Sequence, residues 1–279
     1  GTFDYKRRDT LWGQESHSTV GLRVTKHLPN AGASEQVRIP GGNTAGYAPG
    51  THMRNFTYQG SDTVLHAGND LEIAEDLWLT TGLAAIYTRR ESAVTYPDGG
   101  GKTSLGDWDY ATRLGLRYQL TPDLQVFGNL SRSVEGPHPW SLIYSANQRF
   151  PAGSGPATGT QRDPVELQNQ TATTLELGGR GDSGIGQWSL AWYYAQVRHE
   201  LLSVVPDANA TTPYELNARP TVHQGVEYSL QSTLWSPDDG GKLSLRQSYT
   251  FSDFHYRDDD RFGDNRLPGL PMHYYQGEL

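Results

Sequence analysis

A stretch of thirteen residues with strict alternation of apolar and polar side chains constrains the fold of this chain more than any other feature. It runs from Trp108 to Leu120 and is apolar at every second position except Thr112. A period of two indicates a β-strand with one apolar and one polar face. Strands of soluble proteins usually have about 5 to 6 residues, whereas a tilted strand needs about 9 to 11 to cross a bilayer. The length therefore predicts a strand of a transmembrane β-barrel.

The same alternation recurs along most of the chain. Apolar stripes of this kind lie at residues 77–87, 124–134, 188–194, 222–234 and 243–251. In the stripe that begins at Trp188 the phase slips near Gln196, which predicts a β-bulge at that point. Repeated amphipathic strands without helical patterns between them indicate an all-β protein.

The connections between these stripes are of two lengths. Short turns at 121–123, 181–184 and 237–241 alternate with long polar stretches at 94–107, 136–166, 206–219 and 258–271. Up-and-down barrels of the outer membrane have this alternation, with short turns in the periplasm and longer loops outside.

We therefore predict an all-β fold, an antiparallel up-and-down transmembrane β-barrel section of about ten or eleven long strands. Strands that run outward are predicted near 76–90, 123–135, 186–204 and 242–257, and strands that return near 62–74, 108–120, 167–180, 220–236 and 271–279. Residues 1–61 fit this scheme less regularly, with alternation at 19–28 and a loop-like composition at 40–50. No shift in composition divides the chain, so residues 1–279 are predicted to form one partial barrel domain.

Composition restricts the classes of function. Only 35% of the residues are hydrophobic, and no segment approaches the ~20 consecutive apolar residues of a membrane helix. The 16 tyrosines and 7 tryptophans suit the aromatic girdles of a barrel. A net charge of -8 argues against a nucleic-acid partner. The absence of cysteine excludes disulfides and thiolate metal sites.

The sequence shows no catalytic or metal-binding constellation. The nine histidines are scattered and lack the short spacing of metal ligands. The acidic run Asp258–Asp260 lacks the periodicity and the closing glutamate of an EF-hand. We predict no catalytic residues, no resident metal and no cofactor, and a protein that is not an enzyme.

Five segments, in the expected order, resemble TonB-dependent outer-membrane receptors, especially those that import ferric siderophores. The segments are YQLTPDLQVFGNLSRSV from Tyr118, QTATTLELGGRG from Gln170, RHELLS from Arg198, TVHQGVEY from Thr221 and YTFSDFHYRDDDRFGDNRLPGL from Tyr249. The resemblance covers residues 62–279 better than residues 1–61. Receptors of this family have a 22-stranded barrel with a plug in the lumen. Since no plug precedes these strands and Leu279 falls early in a returning strand, we expect a middle-to-late section of the barrel, without the plug and the last strands.

The resemblance implies a binding protein of the Gram-negative outer membrane. External loops would capture a ferric siderophore or a similar chelate, and the TonB complex would act through the plug to release it inward. Alternatives within the same receptor class are other cargoes, such as haem, cobalamin, another metal chelate or a glycan. A passive porin, a small barrel adhesin or a soluble carbohydrate-binding β protein are alternatives of other classes.

The resemblance directs the search for ligand contacts to the long external loops. Arginine suits bidentate capture of anionic chelates, and tyrosine and tryptophan offer flat surfaces and hydrogen bonds. The candidates of these types are Trp140, Tyr144, Arg149, Arg162, Tyr96, Tyr214, Arg257 and Arg261.

A second group of charged residues is predicted on the lumen side of the strands. These residues are Arg113, Arg117, Glu176, Glu227 and Arg246. They suit either a network between neighbouring strands or contact with the plug and the route of the substrate. The two interpretations are compatible.

Overall fold

The computed structural model describes residues 1–27, 33–36, 52–96, 102–142, 167–204, 214–237, 240–260 and 262–279. Its strands are β1 (Thr2–Leu11), β2 (Gln14–His27), β3 (Ala33–Gln36), β4 (His52–Ala74), β5 (Leu77–Tyr96), β6 (Lys102–Thr121), β7 (Leu124–Glu135), β8 (Gln170–Ser183), β9 (Gly186–Arg198), β10 (Leu201–Val204), β11 (Tyr214–Asn217), β12 (Thr221–Trp235), β13 (Leu243–Tyr256) and β14 (His273–Glu278). A single turn of 3₁₀ helix covers Pro139–Ser141. None of the helical segments in these ranges has the length and hydropathy to cross a membrane.

The strands form one antiparallel sheet in which each long strand pairs with the next one in the chain. The order is β1-β2-β4-β5-β6-β7-β8-β9-β12-β13-β14, and β3 pairs with β4 beside this path. Strands β10 and β11 form a separate hairpin. The predicted all-β, up-and-down architecture of ten or eleven long strands is confirmed. Strands β1 and β14 are the two open edges of the sheet.

Side-chain alternation gives the sheet an apolar face and a polar face. Cross-strand register aligns Leu65 with Leu22 and Ala85 on the apolar face. Farther along the sheet Trp192 is aligned with Leu177 and Val226. Leu65 is 57% exposed, and many other large apolar side chains of this face are exposed to a similar degree. A water-soluble protein does not expose so large a contiguous apolar surface to water. This face of the sheet is therefore suited to contact with lipid.

The apolar face of β6 has the dimensions of a membrane band. Trp108 and Tyr118 both point to this face and lie ten residues apart, about 33 Å along a strand. A tilt of about 40° reduces this to the height of the apolar band of outer-membrane barrels. Trp108 also packs against Tyr87 of β5, with ring centroids 5.0 Å apart. The two rings therefore mark one interface of the band.

Short turns join the strands at one end of the sheet, and all but one of the connections at the other end are long. The short turns 12–13, 75–76, 122–123, 184–185 and 236–242 lie at one end, which we call the inner end. The strand ends that are joined by residues 28–51, 97–101, 136–169, 199–220 and 257–272 are at the opposite end of the sheet, which we call the outer end. The β1–β2 turn was not predicted. Trp12 (φ 53°) and Gly13 (φ 83°) both adopt the left-handed conformation of a two-residue hairpin turn.

Three local predictions were wrong. Residues 94–107 are not a long connection, because β5 extends to Tyr96 and β6 begins at Lys102. The predicted strand 186–204 ends at Arg198, where His199 (φ 54°) turns the chain, and residues 201–204 pair with β11 instead. The predicted bulge near Gln196 is absent, since β9 keeps a continuous register with both neighbouring strands there.

Burial explains the change of phase near Gln196. Ala195 and Val197 are buried on the polar face, 8% and 3% exposed. Gln196 and Arg198 stay exposed on the other face. The apolar residues of β9 therefore change from the apolar to the polar face of the sheet where the strand leaves the membrane band. At this height other parts of the chain cover the polar face. The predicted loop 40–50 lies outside the described residues.

Candidate functional site

The five charged residues predicted for the lumen all lie on the polar face. Arg113 donates from Nε to Oδ1 of Asn129 on β7 at 3.3 Å. The guanidinium of Arg117 lies 5.3 Å from the ring centre of Trp78. Glu176 and Glu227 line one hollow of about 340 Å³. Arg113 and Arg117 thus each contact a neighbouring strand, and the functional role of the five residues stays a prediction.

Arg246 is the fifth of these residues and lies nearer the inner end of the sheet. It lines a second hollow of about 500 Å³ together with Arg180, which also lines the hollow of Glu176 and Glu227. Opposite charges on β8, β12 and β13 are therefore close together on the polar face. Their contact with a plug or a passing substrate stays a prediction.

A larger cavity, of about 650 Å³, lies on the polar face at the outer end. We call it the rim cavity. Three consecutive strands build one wall, because every second residue of each strand points to this face. The polar side chains of this wall are Arg23, Thr25, His27, Asp62, Thr88 and Arg90.

Arg90 holds the chain that crosses the top of this wall. Its side chain is 4% exposed and forms an ion pair with Asp62, with Nη1 2.9 Å from Oδ1. Its Nε donates to the carbonyl oxygen of Pro137 at 2.6 Å, and Nη1 donates to the carbonyl oxygen of Ser61 at 3.1 Å. His27 contacts the same carboxylate at 3.2 Å. The segment after β7 is thereby fixed across β4 and β5 instead of extending away from the sheet.

Two glycines make room for this crossing. A Cβ at Gly60 would lie 2.8 Å from Cδ of Arg90 and 2.9 Å from the carbonyl oxygen of Arg89. A Cβ at Gly136 would lie 2.7 Å from Cγ2 of Thr88. Side chains at either position would push the crossing segment away from the wall.

The β10–β11 hairpin covers the cavity from the other side. Ser141 donates to Oε2 of Glu215 at 2.7 Å and joins the crossing segment to β11. Asn217 donates to the carbonyl oxygens of Gln168 and His199 at 3.0 and 2.7 Å. These bonds tie the hairpin to the chain that enters β8 and leaves β9.

Glu200 anchors the base of this hairpin to β12. Its buried carboxylate accepts a hydrogen bond from Thr221, and its Oε2 lies 3.3 Å from Nε2 of His223. The His223 ring stacks on Phe254 with centroids 4.2 Å apart and planes 7° from parallel. The Phe254 ring thus holds the His223 imidazole next to the Glu200 carboxylate, which lines the rim cavity.

The lining of the rim cavity is polar and richer in acids than in bases. Four carboxylates (Asp62, Glu135, Glu200 and Glu215) face two guanidiniums and two histidines. Partial burial, reinforced by the nearby His27, lowers the pKa of His138 below its usual value, so this imidazole is held neutral. At neutral pH the cavity therefore carries an excess of negative charge.

Two buried polar atoms of the lining have no hydrogen-bond partner within the described part of the chain. They are Oγ1 of Thr88, a residue only 1% exposed, and Oε1 of Glu215. A buried polar atom without a partner costs free energy. Both oxygen atoms can accept a hydrogen bond from a hydroxyl or amine donor.

The structure brings two of the eight predicted loop residues near this cavity. Trp140 lies in the crossing segment beside Ser141, and Tyr214 precedes Glu215 in β11; only their backbone is described. Tyr96, at the outer end of β5, is 36% exposed. Arg257 lies on the opposite, apolar face of the sheet, so the described geometry does not group it with the others. The remaining four (Tyr144, Arg149, Arg162 and Arg261) lie outside the described residues.

Sequence reasoning missed the residues that form the cavity wall. Asp62, Thr88 and Arg90 lie at, or within two residues of, the ends of the strands predicted as 62–74 and 76–90. The sequence did contain a pattern that predicts a longer strand here. Thr88, Arg90 and Ser92 fall on one face of the strand, and Arg89 and Glu91 fall on the other.

Comparison with known proteins agrees with this geometry. The family described as "TonB dependent receptor-like, beta-barrel" matches residues 1–279. The chain belongs to the TonB-dependent receptor family. It is therefore part of a β-barrel of the Gram-negative outer membrane, in which the polar face lines the lumen and the outer end faces the outside. Proteins of this family are transporters, not enzymes. No protein of curated function matched the sequence.

Several solved structures of transporters and receptors share the fold at low sequence identity. The ferric citrate transporter FecA, in its unliganded form, is 15% identical with a TM-score of 0.70, over 98% of this chain and 38% of that one. The ferric-catecholate import receptor Fiu from K12 E. coli is 17% identical with a TM-score of 0.69, over 99% and 40%. The copper transporter OprC is 14% identical with a TM-score of 0.63, over 99% and 39%. The chain thus spans about two fifths of the length of these receptors.

Proposed function

We propose that these strands belong to an active importer that binds a ferric siderophore in the rim cavity. The observation that carries the proposal is this cavity of about 650 Å³, which opens on the lumen face at the outer end and contains two buried polar atoms without partners. Its volume is in the range of sites for small organic ligands. Release of the cargo would require a plug and the TonB complex, as the family implies.

The names of related structures support an iron chelate without deciding it. FecA and Fiu are named for ferric citrate and ferric catecholate, and OprC for copper. At identities of 14% to 17% these proteins share the fold with this chain. The class of cargo must therefore be inferred from the charge and polarity of the residues that line the rim cavity.

The charge of the cavity favours one class of chelate. Four carboxylates against two guanidiniums repel a polycarboxylate chelate, most strongly where the site is partly desolvated. A neutral or cationic ferric chelate with hydroxyl or amine donors would meet Thr88 and Glu215. We therefore propose a hydroxamate-type siderophore ahead of a citrate-type one.

A ligand panel on the complete receptor tests this function. The receptor in detergent is titrated with ferric chelates of hydroxamate, catecholate and citrate type, with the same chelators free of metal, and with haem and cobalamin, while tryptophan fluorescence is followed. We expect the ferric hydroxamate to bind about tenfold or more tightly than its metal-free form, because the receptor must discriminate the loaded chelate. Equal binding of the metal-free chelator, or a preference for haem or cobalamin, would overturn the proposal.

Variants locate the binding in the rim cavity. Thr88→Val and Glu215→Gln each remove one acceptor, and we expect each to weaken binding of the ferric chelate about five- to tenfold, the effect of one lost hydrogen bond. Glu91→Gln is the matched control, since Glu91 lies on the opposite side of β5 and accepts hydrogen bonds from Arg89 and Gln59. Uptake of radioactive iron by cells with and without TonB then tests the transport step.

A further inference from the structure

A second charged hollow lies on the outside of the barrel wall, away from the lumen. It measures about 380 Å³ and is formed at the outer ends of β9, β12 and β13. Arg198, Arg219 and Arg257 are its cationic lining residues. Three guanidiniums around one hollow are notable in a chain whose net charge is -8.

Alternation along β9 places Arg198, a lining residue of the hollow, on the lipid-facing side. Arg198 points to the same side of β9 as Leu190 and Trp192, which are 45% and 39% exposed on the apolar face. Arg257 follows Tyr256, which is 4% exposed, and the backbone N–H of Arg257 donates to the carbonyl oxygen of Pro220 at 2.9 Å. This bond holds the end of β13 against the start of β12.

The hollow lies at the depth of the lipid headgroups. Arg198 is four residues beyond Tyr194 on the same face of β9, about 13 Å along the strand and about 10 Å along the membrane normal for a strand tilted by 40°. The polar Gln196 lies between them. Tyr194 suits the interfacial aromatic belt, and the layer just beyond that belt holds the phosphates of the outer leaflet.

The arginines of the hollow are only partly neutralised. Arg219 forms an ion pair with Asp260. Within the described part of the chain, Arg198 and Arg257 have no carboxylate within ion-pair distance. The carboxylate of Asp258, the acidic residue of the lining, is likewise in no ion pair with these arginines within the described residues. Two guanidiniums are thus available to an anion.

We propose that this hollow binds the phosphate-bearing headgroup of an outer-leaflet lipid. Guanidinium forks match phosphate oxygens in bidentate geometry, and basic pockets at the membrane surface are known to hold anionic headgroups. The site is on the other face of the wall from the rim cavity, so it is independent of the cargo. It gives Arg257 a lipid role in place of the predicted contact with the imported ligand.

Native mass spectrometry of the complete receptor tests the proposal. Lipid A with two phosphates, monophosphoryl lipid A and phosphatidylcholine are added to the receptor in a neutral detergent, and bound lipid is measured for the wild type and for the double variant Arg198→Gln/Arg257→Gln. We expect lipid A to bind most tightly, and its affinity to fall about tenfold in the double variant. Equal binding of lipid A by both proteins would overturn the proposal.

Two controls separate this site from its alternatives. Arg89→Gln removes an arginine on the same face and at the same end of the sheet, but one already paired with Glu91, so lipid binding should be retained. Inorganic phosphate at millimolar concentration should not displace lipid A; displacement would mean a site for a soluble anion and would overturn the lipid assignment. Heat-modifiable migration on gels verifies that each variant is folded. Ligand titration of the same variants distinguishes failure here from failure of the proposed import function.

Discussion

At the scale of single residues, Arg90 links the barrel wall to the chain that covers it. One guanidinium contacts the carboxylate of Asp62 and the carbonyl oxygens of Pro137 and Ser61. A charge in so buried a position is stable only when its partners remain in place. Arg90 therefore matters for the shape of the rim cavity without being available to the ligand as a free charge.

Replacement of this residue should destabilise the receptor strongly. We expect Arg90→Gln to lower the free energy of unfolding by about 3 kcal/mol, because Asp62 is left without its main partner and the carbonyl of Pro137 without its donor. Urea titration of the receptor in lipid vesicles measures this value. The neighbouring Arg89→Gln should leave this free energy nearly unchanged, since the Arg89 side chain is exposed and its ion pair with Glu91 is screened by water. Similar losses for both variants would contradict the assigned role.

At the scale of elements, the rim cavity exists because one connection folds across the sheet. Residues 136–142 follow β7 and contact β4 and β5. They therefore cross over β6, which lies between β5 and β7 in the sheet. The β10–β11 hairpin meets this segment through Ser141 and Glu215. The closeness of the crossing segment to the wall depends on the absence of a side chain at Gly60.

A single methyl group should therefore disturb the crossing. We expect Gly60→Ala to cost about 1 to 3 kcal/mol, as overpacking usually does, because the new Cβ would lie 2.9 Å from the carbonyl oxygen of Arg89 in β5 and 3.1 Å from Cγ of Pro139 in the crossing segment. Gly82→Ala on β5 is the matched control: its Cβ would lie 3.6 Å from the nearest atom, an ordinary contact. Thermal unfolding of the two variants in one detergent makes the comparison. If Gly60→Ala were as stable as Gly82→Ala, the segment would not be packed as described.

At the scale of the whole molecule, the two faces of the sheet have different solvents. Lipid covers the side that carries Leu65, Leu114 and Trp192, and the lumen is on the side that carries Arg113 and Glu176. The sheet of eleven long strands is open at β1 and β14. Unpaired backbone groups at such edges cost free energy in lipid.

The assignment of faces predicts unequal costs for substitutions at two adjacent residues of β6. Leu114 lies near the middle of the band between Trp108 and Tyr118, and Leu114→Arg should cost about 2 to 4 kcal/mol of folding free energy in a bilayer. Arg113→Leu, one residue away on the lumen face, loses one hydrogen bond to Asn129 and should cost about 1 kcal/mol. Urea unfolding in vesicles measures both. Equal costs would mean that the two faces do not differ in solvent.

The sequence alone determined the fold class and the direction of the strands. Period-two alternation longer than a soluble strand needs, together with short and long connections in turn, left few alternatives to an up-and-down barrel. It also placed Arg113, Arg117, Glu176, Glu227 and Arg246 on one face, because a side chain's face follows from its parity in a strand.

The tertiary structure alone decided where a ligand can bind. The rim cavity combines Thr88 of β5, His138 of the crossing segment and Glu215 of the hairpin, which are far apart in the chain. No local pattern predicts that a connection folds back over the sheet, since its position depends on Arg90 and on the space left by glycines at a distance. The same holds for Arg198 and Arg257: their strand parity was available in the sequence, but their proximity required the register of β9, β12 and β13.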